Sequence, residues 1–215
     1  MYAVGNTVGS LTKAQKSILL GTLLGDGSLR LAKGKKNALL EVNHGIRQKK
    51  YVDWKYQYFH DIVLTPPKMR QGNSGRIAYR FTTRSIPVIT VYHNYFYSNG
   101  KKVIPPDLVL NPLALAVWFM DDGSYSRNAA YFNTQQFQYS HQKILLNILQ
   151  QQFGIQSALN STRLLHSIIY PYLLPEFYYK LGNDPVTTDP KGETCLNFEV
   201  GNTPTLINKK HTMVI

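Results

Sequence analysis

One short pattern occurs twice in the sequence, an apolar stretch that runs into an aspartate and a glycine. The first copy is "GTLLGDG" at residues 21–27, and the second is "VWFMDDG" at residues 117–123. A capping box begins the first stretch, because Thr12 is followed three residues later by Gln15. We therefore predict a buried apolar helix whose end is marked by a glycine, a residue that accepts the positive φ common at helix ends.

The second stretch carries its own helix start. Asn111 is a favourable N-cap residue and Pro112 suits the first helical position. The dipeptide Asp-Gly alone is common in turns, so chance or purely structural repetition remains an alternative. Two copies in matching helical contexts favour a shared role.

The aspartate is the unusual part of each copy. A carboxylate in the last turn faces the negative end of the helix dipole, where lysine or arginine is favourable. Gly21 and Gly25 share one helical face and allow close approach of a second helix. If the two helices pack together, Asp26 and Asp122 become neighbours and need a counter-charge. A divalent cation would supply it, and oxygen-only ligands favour Mg²⁺ over zinc.

The segments after the two copies follow one plan: helix, strands, helix, strands, helix. In the first half we predict strands at 28–33, 38–45 and 76–84, and helices at 47–63 and 86–98. In the second half we predict strands at 129–137 and 155–160, a helix at 140–154 and an aromatic segment at 168–182. An internal duplication explains this order.

The chain is strongly basic. Its 215 residues include 24 Lys+Arg and 12 Asp+Glu, which gives a net charge of +12. Such a balance favours a polyanion partner, although an unspecialised basic surface is the alternative. No stretch has the roughly 20 apolar residues of a membrane span, and we expect no membrane association. The start lacks a targeting signal, and the lone Cys195 excludes an internal disulfide and a cysteine-rich zinc site.

At this point the sequence shows a family resemblance. "LLGTLLGDG" and "LAVWFMDDG" resemble the two signature motifs of the LAGLIDADG homing endonucleases, in the single-chain form that carries both copies. The similarity runs from Leu11 to Lys180, and "WFMDDGS", "FNTQ" and "PYLLPEFYYKL" resemble enzymes encoded in organelle introns. The resemblance implies an α+β fold of two pseudo-symmetric αββαββα halves with antiparallel, saddle-shaped sheets. We expect an N-terminal extension at 1–10, halves at 11–104 and 105–182, and a C-terminal segment at 183–215.

The resemblance also implies a function. It is site-specific cleavage of double-stranded DNA at a long asymmetric target, which leaves 3′ overhangs and promotes intron homing. Mg²⁺ is the implied cofactor; Mn²⁺ is expected to substitute, and Ca²⁺ to bind without supporting cleavage. The protein is expected to be a monomer in an organelle, the mitochondrion. The alternatives are an RNA maturase that binds intron RNA and a catalytically inactive DNA-binding protein.

Catalytic and metal-binding residues follow from the same resemblance. Asp26 and Asp122 are the implied metal ligands, and the carbonyl groups of Gly25 and Asp121 assist them. The Asp121 side chain has no counterpart in the first copy and is alternatively structural. The resemblance places two lysines near the cleavage centre, Lys102 and Lys180. It also implies a glutamine that organises water, Gln135. The alternative role of each lysine is that of a solvent-exposed side chain that contacts a DNA phosphate.

DNA contacts are expected on the polar faces of the strands. Residues 76–84 alternate, with Ile77, Tyr79 and Phe81 on the inner face. The predicted outward residues of the first half are Ser28, Arg30, Glu41, Asn43, Arg76, Arg80, Thr82 and Arg84. Those of the second half are Tyr131, Asn133 and Gln135. They would face phosphates and base edges in the major groove.

The second half is shorter than the first after its middle helix. The remaining length leaves little room for two full strands. "ETCLNFEV" at residues 193–200 is a possible replacement strand, and a reduced second sheet is the alternative.

Overall fold

The computed structural model describes residues 10–31, 34, 36–72, 75–156, 159–182 and 212–215. The chain divides into two compact units, Met1–Lys101 and Lys102–Ile215. Within the described ranges, no helix combines the length and the apolar character needed to cross a membrane.

The first unit has the predicted order αββαββα. Its elements are α1 (Lys13–Leu24), β1 (Ser28–Leu31), β2 (Ala38–Gly45), α2 (Lys49–Phe59), β3 (Lys68–Gln71), β4 (Ile77–Thr82) and α3 (Pro87–Phe96). Two-residue strands follow, β5 (Tyr97–Ser98) and β6 (Lys101–Lys102); the second residue of β6, Lys102, is the first residue of the second unit. The first four strands form an antiparallel sheet in the order β1-β2-β4-β3. The mixed helix and strand class with antiparallel sheets is confirmed.

Helix α1 begins at the predicted capping box. The Gln15 backbone N–H donates to Thr12 Oγ1 at 3.1 Å, and the Thr12 N–H donates to Gln15 Oε1 at 2.8 Å. The amide of Gln15 also donates to the Tyr58 carbonyl and to Asp61 Oδ1, at 2.8 and 2.9 Å. The same side chain thus starts α1 and ties it to the end of α2.

The sheet register separates an apolar face from a polar one. Leu40, Val42 and Phe81 point to the inner face and are at most 3% exposed. Helices α2 and α3 contact β2 on this side. Burying each such side chain contributes about 1.5–3 kcal/mol, which fixes the register, because a one-residue slip would turn every side chain over.

The second unit starts as the first does and then departs from it. Its elements are α4 (Pro112–Asp122), β7 (Gly123–Ser126), β8 (Ala129–Asn133), α5 (Tyr139–Phe153), α6 (Leu159–Ile169) and β9 (Thr212–Val214). Short 3₁₀ helices lie at Tyr170–Tyr172 and Pro175–Leu181. The side chain of Asn111 caps α4 by accepting from the Ala114 N–H at 2.9 Å, as predicted. The strands form an antiparallel sheet in the order β7-β8-β9.

The predicted strand at 155–160 is wrong. Ile155 and Gln156 are irregular, and Leu159 begins helix α6. Leu165 and Ile169, four residues apart, are fully buried, a helical spacing rather than an alternating one. Gly154, in the left-handed region at φ 69°, ends α5 and turns the chain into this segment.

The third strand of the second sheet comes from the C-terminus. Strand β9 pairs with β8, with Met213 opposite Phe132. The Thr162 hydroxyl on α6 donates to the carbonyl of Ile215, the residue after β9, and accepts from the Ala130 N–H of β8 at 3.0 Å. The replacement strand predicted at 193–200 lies outside the described residues.

Candidate functional site

Asp26 follows α1 and stands beside a buried histidine of the same unit. The Asp26 side chain is 48% exposed, whereas that of His44 is 2% exposed, and Asp26 Oδ2 lies 3.7 Å from His44 Nδ1. His44 Nδ1 is also 3.1 Å from Gln48 Oε1. No spacing in the sequence marks His44 as a site residue; the fold brings it, near the end of β2, to the end of α1.

Asp122 is the last residue of α4, whereas Asp26 lies two positions beyond the last residue of α1. Its Oδ2 accepts from Gln136 Nε2 at 3.3 Å, and its backbone carbonyl accepts from Asn133 Nδ2 at 2.9 Å. Gln136 Oε1 in turn accepts from Lys102 Nζ at 3.2 Å. One amide therefore connects the predicted metal ligand with the predicted lysine.

The glutamine in this connection is not the one that the sequence analysis selected. Gln135 is exposed in the turn after β8, and its neighbour Gln136 bonds to Lys102 and Asp122. Strand β8 ends at Asn133, so the prediction that Gln135 continues its outward face is wrong. The alternation ended earlier than predicted because residues 135–136 turn toward α5.

Lys180 lies against the C-terminal turn of α4. It is 8% exposed, and its Nζ donates to the carbonyls of Phe119, Met120 and Asp121 at 3.2, 2.7 and 3.4 Å. An ammonium group at this end of a helix is favourable for the helix dipole. The alternative of a solvated, phosphate-touching lysine is therefore wrong for Lys180. Sequence reasoning missed its contact with α4 because the partners are about 60 positions apart.

The motif glycines are required by close approach rather than by positive φ. Gly123 has a φ of −75°, and Gly27 is not among the glycines with positive φ, so the positive φ expected at these helix ends is wrong for both motif glycines. A Cβ on Gly123 would lie 2.2 Å from Phe119 Cδ2 and 2.4 Å from the Phe119 carbonyl oxygen. A Cβ on Gly27 would meet the Thr22 methyl group at 2.2 Å. After each motif helix, the backbone therefore turns back and packs closely against the last turns of that helix.

The polar face of the first sheet carries most of the predicted DNA-contacting residues. Ser28, Arg30 and Asn43 are exposed there, whereas Glu41, Arg80 and Thr82 are partly covered. Arg76 and Arg84 flank β4 rather than belonging to it. The strand register adds Lys68, opposite Arg80, and Arg70, opposite Ala78, to the same face. These two residues were not predicted, because all four residues of β3 are exposed and no apolar alternation marks the strand in the sequence.

Charge on this face is organised around a single acid. Glu41 Oε2 lies 2.9 Å from Arg30 Nη2, and Glu41 Oε1 lies 3.4 Å from Arg80 Nη1. A cavity of about 440 Å³ opens beside Arg80; it is lined by Thr65, Pro66, Lys68, Met69, Arg70, Arg80, Phe81 and Thr82. The surface is thus basic, and Glu41 holds two of its arginines, Arg30 and Arg80.

The second sheet has a smaller polar face. On β8, Tyr131 and Asn133 are half-buried on one side, and Ala130 and Phe132 are buried on the other. This alternation agrees with the predicted inner and outer faces. The amide of Asn133 donates to the Asp122 carbonyl, so this side chain also supports the end of α4.

Comparisons with known proteins agree with this arrangement. The sequence model of the LAGLIDADG DNA endonuclease family matches residues 16–171. The chain is 30% identical to a protein of Wickerhamomyces canadensis named "Probable intron-encoded endonuclease 1", over 80% of this chain and 85% of that protein. It is also 30% identical to the cytochrome b mRNA maturase bI2 of Saccharomyces cerevisiae, over 84% of this chain and 50% of that protein.

A solved structure shows the same fold. It is the homing endonuclease I-WcaI bound to its DNA recognition sequence, and it is superimposed with a TM-score of 0.74 at 28% identity. The match covers 80% of this chain and 88% of that one. The second unit thus departs from the αββαββα order in a chain whose fold matches that of a solved homing endonuclease.

Proposed function

The chain belongs to the LAGLIDADG DNA endonuclease family, and we propose that it cuts both strands of a long, asymmetric DNA target, leaves 3′ overhangs and promotes intron homing. The observation that carries this proposal is the set of hydrogen bonds around Asp122. A carboxylate at the end of a buried helix is joined through Gln136 to Lys102, so that an acid and a cation bond to the same amide group. A protein that only binds DNA would gain nothing from an acid near phosphate.

The residues present fit a hard divalent cation. Carboxylate and carbonyl oxygens are the ligands that Mg²⁺ prefers. The Asp26 side chain is 48% exposed, so its oxygens are accessible. Asp26 in the first unit and Asp122 in the second are the proposed carboxylate ligands, one for each centre, assisted by the carbonyls of Gly25 and Asp121. The Asp121 carbonyl bonds to Lys180 at 3.4 Å, and a carbonyl oxygen has a second lone pair.

Bound Mg²⁺ supplies Lewis-acid chemistry, which lowers the pKa of water and stabilises charge on phosphate oxygens. We propose that Mn²⁺ substitutes and that Ca²⁺ supports binding alone. Among the residues of this chain, Lys102 places positive charge where the transferring phosphate becomes more negative. Gln136 holds Lys102 and the Asp122 carboxylate in a fixed relation, and Lys180 holds the helix end that carries Asp122. Gln135 stays a candidate for ordering water.

The two sheets make an asymmetric target the natural expectation. The first sheet has four strands and presents Arg30, Lys68, Arg70 and Arg80 on three of them. The second sheet, over the residues that the structure describes, has three strands and a face with fewer cations. Contact with one groove turn by each unit corresponds to roughly 20 base pairs. The net charge of +12 supports association with the DNA backbone. We propose that the protein is a monomer, because one chain carries both motif copies. We also propose that it acts in the mitochondrion, since its relatives include a cytochrome b mRNA maturase.

A second candidate function is assistance in splicing. The similarity to the maturase of Saccharomyces cerevisiae favours it, because the same basic surface would attract intron RNA. This function does not need the acids. Dual activity is compatible with their presence.

The test is cleavage of a duplex library that includes intron-insertion sites, in Mg²⁺, by the wild type and by Asp26→Asn and Asp122→Asn. Glu176→Gln, an exposed acid on a 3₁₀ helix of the second unit, is the matched control. We expect the wild type and the control to cut one long site. Each aspartate variant should bind that site without cutting both strands. Binding without cleavage by the wild type in Mg²⁺ and Mn²⁺ would instead support the maturase, and intron RNA would be tested next.

A further inference from the structure

Glu41 lies on the polar face of the first sheet between arginines from the strands on either side. Arg30 belongs to β1 and Arg80 to β4, while Glu41 is in the middle of β2. Their guanidinium groups bond to different oxygens of the one carboxylate, at 2.9 and 3.4 Å. The acid is therefore a bridge between two cations rather than a member of a simple pair.

The register shows that the arginines reach Glu41 from opposite directions. Ser28 and Thr82 are the direct partners of Glu41, whereas Arg30 is opposite Leu39 and Arg80 is opposite Asn43. Such diagonal neighbours are within reach of long side chains. The carboxylate thus draws together two guanidinium groups whose backbones are four residues apart along β2. On duplex DNA, with a rise of about 3.4 Å per base pair, they would face two or three neighbouring base pairs.

Exposure distinguishes the acid from the arginines. The Glu41 side chain is 19% exposed, Arg80 is 28% exposed and Arg30 is 59% exposed. An uncovered carboxylate on this face would repel phosphates, but this one is shielded by the groups that it binds. A guanidinium group has five N–H donors, so a bond to Glu41 leaves donors for the O6 and N7 atoms of guanine.

We propose that Arg30, Glu41 and Arg80 act as one base-contacting unit in which Glu41 is the positioning residue. Glu41 fixes both guanidinium planes for adjacent base pairs and keeps the arginines from binding phosphates of any sequence. Its effect is on specificity rather than on total affinity. This inference rests on the proposed function as a sequence-specific DNA endonuclease.

The experiment measures relative Kd values in Ca²⁺ for every single-base variant of the site that the wild type cleaves, together with an unrelated duplex. The variants are Glu41→Gln, which keeps the side-chain shape but loses the charge, and Glu176→Gln as the matched control. Both ion pairs are partly open to solvent, and the amide oxygen of glutamine still accepts a hydrogen bond from an arginine, so we expect Glu41→Gln to melt near the wild-type temperature.

We expect Glu41→Gln to lose discrimination by about tenfold or more at two or three adjacent base pairs, and to bind the unrelated duplex more tightly. Glu176→Gln should retain the wild-type profile. The inference is overturned if Glu41→Gln changes every Kd by the same factor and leaves the wild-type base preferences intact. If the wild type itself shows no base preference, the proposed function fails as well, and the two failures are thus distinguishable.

Discussion

Lys180 Nζ donates to the backbone carbonyl of Met120 at 2.7 Å, beneath the helix that ends at Asp122. The same ammonium contacts the carbonyls of Phe119 and Asp121 and lies 5.4 Å from the centre of the Phe177 ring. An aspartate at a helix C-terminus is unfavourable for the helix dipole, and Lys180 offsets this with a buried positive charge. The protein itself thus supplies part of the counter-charge that a bound cation would complete.

We predict that Lys180→Met lowers the free energy of unfolding of the second unit by about 1–3 kcal/mol, because carbonyls of the last turn of α4 lose a charged donor. Urea denaturation in a Trp54→Phe background would measure this, since Trp118 in α4 is then the remaining tryptophan. Lys143→Met, on the exposed side of α5, is the control and should change stability by less than about 0.5 kcal/mol. Equal effects of the two variants would contradict a capping role.

We predict that Gly27→Ala destabilises the protein although the φ angle of Gly27 is ordinary. The new Cβ would lie 2.2 Å from Thr22 Cγ2 and 2.8 Å from the Thr22 carbonyl oxygen. Overpacking of this kind costs about 1–3 kcal/mol. Gly45→Ala is the matched control, because a Cβ there meets nothing within 4 Å at φ −63°. Comparison of the melting temperatures tests this, and similar values for the two variants would exclude a steric role for the motif glycine.

A tyrosine network in the first unit predicts a loss of stability at alkaline pH. The Tyr79 hydroxyl donates to Asp53 Oδ1 at 2.8 Å, and Lys49 Nζ bonds to Asp53 Oδ2 at 2.6 Å. Burial, followed by the hydrogen bond to Asp53, raises the pKa of Tyr79 above 10.0. The hydrogen bond to Asp53 likewise raises the pKa of Lys49 above 10.5. Folding therefore stabilises the protonated forms of Tyr79 and Lys49.

Because the folded pKa of Tyr79 exceeds the unfolded one, its contribution is fully present below about pH 10 and is lost as the pH rises through the folded value. We expect the free energy of unfolding of the wild type to fall more steeply above about pH 10 than that of Tyr79→Phe. At neutral pH the variant should be less stable by about 1 kcal/mol, because the hydrogen bond is missing. Parallel curves would show that Tyr79 does not carry the alkaline slope.

Local patterns predicted most of the first unit. The Thr12 capping box located the start of α1, and the alternation of Tyr79 and Phe81 with Arg80 located β4 and its faces. These features depend on residues within one element, so a single sequence shows them. Strand β3 was missed because all four of its residues are exposed and no apolar alternation marks it.

Features that depend on distant partners were not predictable in this way. Strand β9 finds β8 only through the folded backbone, and Thr162 is recognised as their link once α6 is in place. Lys180 was assigned from the family resemblance to the cleavage centre, but its contacts with α4 follow from packing. The choice between Gln135 and Gln136 depended on where β8 ends, and an element boundary is the least certain part of any sequence pattern.

The connection from Lys102 through Gln136 to Asp122 leads to the last prediction. Gln136→Met keeps the length of the side chain but removes both hydrogen bonds, 3.2 Å to Lys102 and 3.3 Å to Asp122. These three residues all lie in the second unit, and we propose that the two motif acids supply one centre per strand. Loss of a group that orients a metal ligand typically costs about 10–100-fold in activity. We therefore expect one strand to be cut more slowly by that factor, so that nicked plasmid accumulates before the linear form.

Gel electrophoresis of a supercoiled plasmid carrying the target measures both steps, and Gln151→Met, exposed on α5, is the matched control. A general loss of stability or of DNA affinity would slow both strands together, and that result would exclude a positioning role for Gln136 at the Asp122 centre.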